Sequence, residues 1–176
     1  MLFRSLNLSY NDIDDVTALE GLKKLTYLNL GGNPLTDEDL KSIGKLTNLK
    51  ELYLYELEKI TDVEPLKNLE KLTFLHLGYN SKLKTVKPLT ALKKLESLRL
   101  NRTKVSDLSY FGGFTALKKV DLSRCPIDKS TVYGLKGCSK LKTIVLEQGD
   151  TDLYYAVLDE LIGEGYPVQV AYGWDD

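Results

Sequence analysis

Leu25-Thr26-Tyr27-Leu28-Asn29-Leu30-Gly31-Gly32-Asn33-Pro34-Leu35 sets leucine at its first, fourth and sixth positions, asparagine at the ninth and leucine again at the eleventh. The same frame starts at Phe3, Leu25, Leu49, Leu72, Leu95, Leu117 and Leu141, at intervals of 22, 24, 23, 23, 22 and 24 residues. Self-similarity at such a period marks a chain of stacked units, each too small to bury its own apolar face. In an extended segment, successive side chains point to opposite sides. Apolar residues facing inward at positions four and six therefore send positions three, five and seven outward.

Between these segments the apolar residues return every third position. Ile13, Val16, Leu19, Leu22 and Leu25 form one series; Ile60, Val63, Leu66, Leu69 and Leu72 form another. Leu83, Val86, Leu89, Leu92 and Leu95 repeat it, as do Val105, Leu108, Phe111, Phe114 and Leu117. A period of three suits 3₁₀ turns or extended segments rather than an α-helix, whose period is 3.6. Two units depart from it, with longer gaps that hold Thr36-Asp37-Glu38-Asp39 and Asp128-Lys129-Ser130-Thr131. These read as helix starts, so a short helical turn is expected at each. The units starting at Leu49 and Leu72 carry one extra residue before Ile60 and Leu83, and their loops are expected to bulge.

The pattern resembles the leucine-rich-repeat family over almost the whole chain. The runs Asp62-Val63-Glu64-Pro65-Leu66 and Thr85-Val86-Lys87-Pro88-Leu89 are similar to the short repeat of bacterial internalins and of phosphatase-regulating leucine-rich-repeat proteins. The resemblance implies an α/β solenoid, a curved right-handed horseshoe. Its concave face would be a parallel sheet of about eight strands, and its convex side mostly 3₁₀ or extended. It also implies that Asn11, Asn33 and Asn80 point inward and bond the backbone of the turn. Thr103, Cys125 and Gly149 occupy that position in later units.

Residues 1–176 read as one such domain, with a C-terminal cap over 151–176. There Leu153, Val157, Leu158, Leu161 and Ile162 follow helical spacing, and Gly163 and Gly165 end the segment. Pro167 to Tyr172 then alternates like a strand; an offset of 24 from Ile144 and Leu146 places Val168 and Val170 inward. The N-terminus shows no cap, which leaves Leu6 and Leu8 near an open sheet edge. Residues missing upstream are the favoured explanation, with a partner or a second copy covering that edge as the alternative.

Composition narrows the function. Hydrophobic residues make up 43% and charged residues 28% of the 176, as in a folded globular chain. Twenty-four basic and 25 acidic residues leave a net charge of −1, which argues against a general binder of nucleic acid or anionic membrane. No stretch approaches the roughly 20 apolar residues of a membrane span, and the opening residues do not read as a secretory signal. The two cysteines, Cys125 and Cys138, suit neither a metal site nor a disulfide framework. A reducing, cytoplasmic compartment is expected, or the cell surface if the chain is cut from a longer exported protein.

An enzyme needs a base, a nucleophile or a metal in mutual reach. The one histidine, His76, has no positioned partner: Asp121 occupies the same position two units away, about 10 Å at ordinary strand spacing. No glycine-rich phosphate loop follows a strand. Asp14-Asp15 and Asp37-Glu38-Asp39 lack the spacing of calcium ligands. The expectation is a protein without catalytic residues, metal or cofactor.

The outward columns are more informative. Tyr10, Tyr27, Tyr53, Tyr55, Phe74, His76 and Tyr79 fall on the concave side of the first four units, and Arg99, Arg102, Lys119, Asp121 and Arg124 on the next two. Tyrosine and arginine are enriched at the energetic centres of protein interfaces. Aromatic residues also favour strands for packing reasons alone. The expectation is an interaction module that binds a folded protein on its concave face, fitting a small bacterial regulator or toxin-neutralising protein. The alternative is a fragment of a surface adhesin similar to internalins.

Overall fold

The computed structural model describes residues 3–146 and 169–172, together with positions 155 and 159. Positions three to five of each unit form a strand: β1 Ser5–Asn7, β2 Tyr27–Asn29, β3 Glu51–Tyr53, β4 Phe74–His76, β5 Ser97–Arg99, β6 Lys119–Asp121 and β7 Thr143–Leu146. With β8, Gln169–Tyr172, they make one open parallel sheet in strict chain order. The register is that of the repeat: Leu6, Leu28, Leu52, Leu75, Leu98, Val120 and Ile144 stack on one another.

The return path is a 3₁₀ turn in five coils, at Thr17–Gly21, Glu64–Leu66, Lys87–Ala91, Phe111–Gly113 and Tyr133–Gly137. Pro65 and Pro88 sit at the start of theirs, where no ladder hydrogen bond is lost. The two long gaps do become helices, α1 Asp37–Ile43 and α2 Lys129–Val132. At the first, the Asp39 carboxylate accepts from the Thr36 backbone N–H (2.9 Å); at the second, Asp128 accepts from the N–H of Thr131 (3.0 Å). The extra residues before Ile60 and Leu83 do not loosen the chain. Each is taken up in a closed turn, with the Ile60 N–H bonding Leu57 O and the Leu83 N–H bonding Asn80 O.

One continuous core runs through the stack, and from Leu25 to Leu122 its leucines, valines and phenylalanines are at most 1% exposed. Among the described residues burial of the leucine frame weakens at the first coil, where Leu6, Leu8, Ile13, Leu19 and Leu22 are half-buried. Asn33 and Asn80 work as the resemblance implies, whereas Asn11 bonds the turn backbone but is exposed rather than inward. Asn80 donates to Leu54 O and Leu77 O (2.8 Å each) and accepts from the Leu57 N–H (2.8 Å), tying two coils together. Asn33 makes the same set with Leu8, Leu30 and Ile13.

One expectation at the C-terminus needs correction. β8 pairs with β7 in parallel, but Ile144 faces Val170 rather than Val168, a spacing of 26 instead of 24. A slip of two preserves the alternation of faces, so apolar periodicity alone could not detect it. Val168 and the helical spacing over 153–162 lie outside the described residues. Among the described residues no helix is long and apolar enough to cross a membrane.

Both cysteines are free and buried. Cys125 takes the place of the inward asparagine and donates to Leu100 O (3.1 Å); Cys138 donates to Phe111 O (3.1 Å). Burial pushes both thiols up to about 11, so neither holds thiolate at neutral pH. Native protein is expected to react with a thiol reagent orders of magnitude more slowly than urea-unfolded protein. Labelling at equal rates in the two states would refute this.

Candidate functional site on the concave face

Positions three and five of neighbouring strands lie side by side, so aromatic residues in these columns meet across the sheet. The ring of Tyr53 sits 5.3 Å from Tyr27 and 4.8 Å from Phe74; the ring of Tyr55 sits 4.9 Å from His76 and 5.9 Å from Tyr10. Glycine at position seven makes room for this. A Cβ on Gly31 would lie 2.4 Å from the Tyr55 ring, which therefore lies flat over that backbone. The guanidinium of Arg99 stands 5.4 Å over Phe74, and that of Arg102 stands 5.2 Å over Tyr79. Tyr10, Tyr53, Tyr55, His76, Tyr79 and Arg99 line an open hollow of about 490 Å³ together with Asn29 and Glu56. At its rim the Tyr10 hydroxyl donates to Glu56 (2.9 Å), and this bond is the main cause that pushes it up to about 12.

One family, leucine-rich repeats (2 copies), matches the chain twice, over residues 4–42 and 47–91. An internalin C2 from Listeria monocytogenes superposes with a TM-score of 0.76 and 27% identity, over 96% of this chain and 70% of that one. A second internalin of that organism, inlF, gives 0.61 and 25%, over 82% of this chain and 47% of its own length. No curated protein matches the sequence. Leucine-rich repeats of that family are thus matched over residues 4–42 and 47–91, and the fold is that of a leucine-rich-repeat solenoid. The chain is similar to bacterial internalins in fold and repeat type.

Within this leucine-rich-repeat frame the structure separates the expected contacts into two groups. Tyr27, Tyr53, Tyr55 and Phe74 are half-buried by one another, Lys119 is half-buried, and Tyr10, Tyr79, Arg102 and Arg124 are exposed. Position five behaves differently. Asn7, Asn29, His76 and Asp121 turn a side-chain acceptor back onto the chain, each taking the backbone N–H of position seven at 2.9–3.1 Å. Asp121 is 1% exposed and fully engaged in the fold, so it departs from the expected surface contact. The shared acceptor chemistry of Asn, Asn, His and Asp in one column was the signal for this role.

His76 illustrates the cost of that position. Burial first, and the Arg99 charge second, pull its imidazole down to about 3. Nδ1 accepts from Gly78, so the ring is neutral in the fold. The unfolded chain, titrating near 6.5, then binds the proton better. Stability is full above that value and declines as pH falls toward 3, by about 1.4 kcal/mol per unit. Urea unfolding is expected to show a loss of about 2 kcal/mol between pH 7.5 and 5. His76→Asn keeps an acceptor, as Asn29 does, and should flatten that slope; an unchanged slope would assign the loss elsewhere.

Position eight holds a feature the sequence concealed. Tyr10, Glu56, Tyr79, Arg102 and Arg124 all have φ between 54° and 64°, and Gly32 has 71°. Only the glycine announces a left-handed backbone. Among the described residues, no group of three or more His, Cys, Asp or Glu is placed to hold a metal ion.

Proposed function

We propose that this protein is an interaction module that grips one folded protein partner on its concave face. The observation that carries the reading is the contiguous ring ladder from Tyr27 through Tyr53 to Phe74, flanked by Arg99. The leucine core sits on the other side of the strands, so such a strip is more than the fold requires. Six strands at roughly 4.8 Å spacing present about 24 Å, which suits a protein interface better than a small molecule. The aromatic residues form the buried centre; Arg102 and Arg124 meet acidic groups of the partner. Asp121 drops out of the surface, and His76 contributes only its exposed edge. A cytoplasmic regulator or toxin-neutralising protein is the reading favoured by the free, buried cysteines. A surface adhesin similar to internalins is the second reading, and self-association through the half-buried first coil a third contact.

The test is affinity capture with the intact chain, followed by calorimetry on the captured protein. Tyr53→Ala or Phe74→Ala is expected to weaken binding by about 2 kcal/mol or more. Arg102→Ala and Arg124→Ala should slow association and reduce its salt dependence. Lys67→Ala and Lys87→Ala, on the return path, should bind normally. Normal binding by the concave variants with loss in the others would move the interface to the convex side.

A further inference from the structure

The net charge of −1 averages two very different surfaces. The loops that carry the chain from the convex turns back into β2 to β7 are residues 20–24, 44–50, 67–71, 90–96, 113–118 and 136–142. They hold twelve lysines, no arginine and three acids, Glu20, Glu70 and Glu96. That is +9 on one flank and therefore −10 for the rest of the chain.

These loops form one continuous edge. The backbone N–H groups of Lys50, Thr73, Glu96, Lys118 and Lys142 each bond the carbonyl one coil below. Side chains link coils there too, with Lys23 Nζ donating to Lys45 O and Lys71 Nζ to Asn48 Oδ1. Glu20 pairs with Lys45 and Glu96 with Lys118. Lys24, Lys50, Lys94, Lys140 and Lys142 are exposed and make no ion pair among the described residues. Among the described residues, exposed aromatics adjoin this flank at its two ends, Phe3 beside Arg4 and Tyr133 under Lys136.

We propose that this flank adsorbs the protein edge-on to an anionic lipid surface. The chemistry selects that partner. Arginine forks and stacking aromatics read phosphodiester strands, whereas this flank sets twelve lysines against one arginine, Arg4, at its first coil. Evenly spread lysine point charges instead give diffuse attraction to a plane of headgroups. The loops of one side of a solenoid share a plane, so many lysines reach the surface together. Edge-on adsorption leaves the concave face standing free of the membrane.

Co-sedimentation of the intact chain with phosphatidylcholine vesicles, with and without a quarter phosphatidylglycerol, tests this. Binding is expected only to the anionic vesicles, and to vanish at high salt. Lys24, Lys50, Lys94, Lys140 and Lys142 changed together to glutamine should lower the partition coefficient at least about tenfold. Lys24→Gln with Lys94→Gln alone should give an intermediate loss. Lys82, Lys84 and Lys104 changed to glutamine, on the opposite flank, should stay within about twofold of wild type. Circular dichroism confirms that each variant is folded. Equal binding to neutral vesicles, full binding by the five-lysine variant, or an equal loss in the opposite-flank variant would overturn the proposal. So would displacement from vesicles by an equal charge of duplex DNA.

Discussion

Asn80→Ala is expected to destabilise the fold by about 3–5 kcal/mol, because it strips partners from three buried backbone groups at once. Leu54 O, Leu77 O and the Leu57 N–H all bond this one side chain, which is fully buried. Water cannot reach them, and each orphaned group costs about 1–3 kcal/mol. Asn11 offers the contrast. It holds the same position in the first coil but is exposed and bonds only Leu8 O and Ser9 O. Asn11→Ala should cost less than about 1 kcal/mol, since solvent replaces what is lost. Urea denaturation of both variants, with hydrogen exchange at the Leu57 amide, reads the difference. Asn80→Ala within 1 kcal/mol of wild type would mean that the ladder is not what joins the coils.

Phe111→Ala is expected to cost about 3–5 kcal/mol as well, by a different route. Phe111 and Phe114 are fully buried and meet edge-to-face at 5.2 Å. The coils of Leu66 and Leu69 and of Leu89 and Leu92 place leucine at both points, so this coil is overfilled relative to them. The next coil yields the volume: Cys138 replaces the leucine above Phe114, and Gly137 lies against Gly112. A Cβ on Gly137 would come within 2.6 Å of the Gly112 Cα. Neighbouring coils are thus fitted to one another and cannot collapse freely around a deleted ring. Phe111→Leu, the residue found at this point in the coils of Leu66 and Leu89, should cost only about 1 kcal/mol. Thermal and urea unfolding of the pair distinguish lost packing from a general intolerance of change.

The strands were legible because a two-residue alternation and a fixed repeat make independent demands that coincide at seven places. The 3₁₀ turns were legible because a period of three leaves no helical face, and α1 and α2 because a gap of five broke it beside a capping residue. The offset of β8 was not, since any even slip satisfies the same alternation. Within the candidate site, the aromatic and arginine columns could be written down from the frame alone. What the frame could not supply was which polar side chains turn back onto their own strand. Asp121 reads as a surface charge until the Ser123 N–H is seen to need an acceptor. Net charge is uninformative about flanks for a related reason: it adds residues without regard to where on the fold they sit.

The left-handed backbone at position eight has a practical corollary. Five bulky or charged residues hold a posture that glycine or asparagine would adopt with little strain, at about 1–2 kcal/mol apiece. A laboratory screen for heat tolerance would therefore be drawn to positions 10, 56, 79, 102 and 124. It would harvest glycines there and return a sturdier coil. The same harvest would shave off Tyr10, Glu56 and Tyr79 from the hollow and the two exposed arginines beyond it, so hardened variants should emerge with blunted recognition.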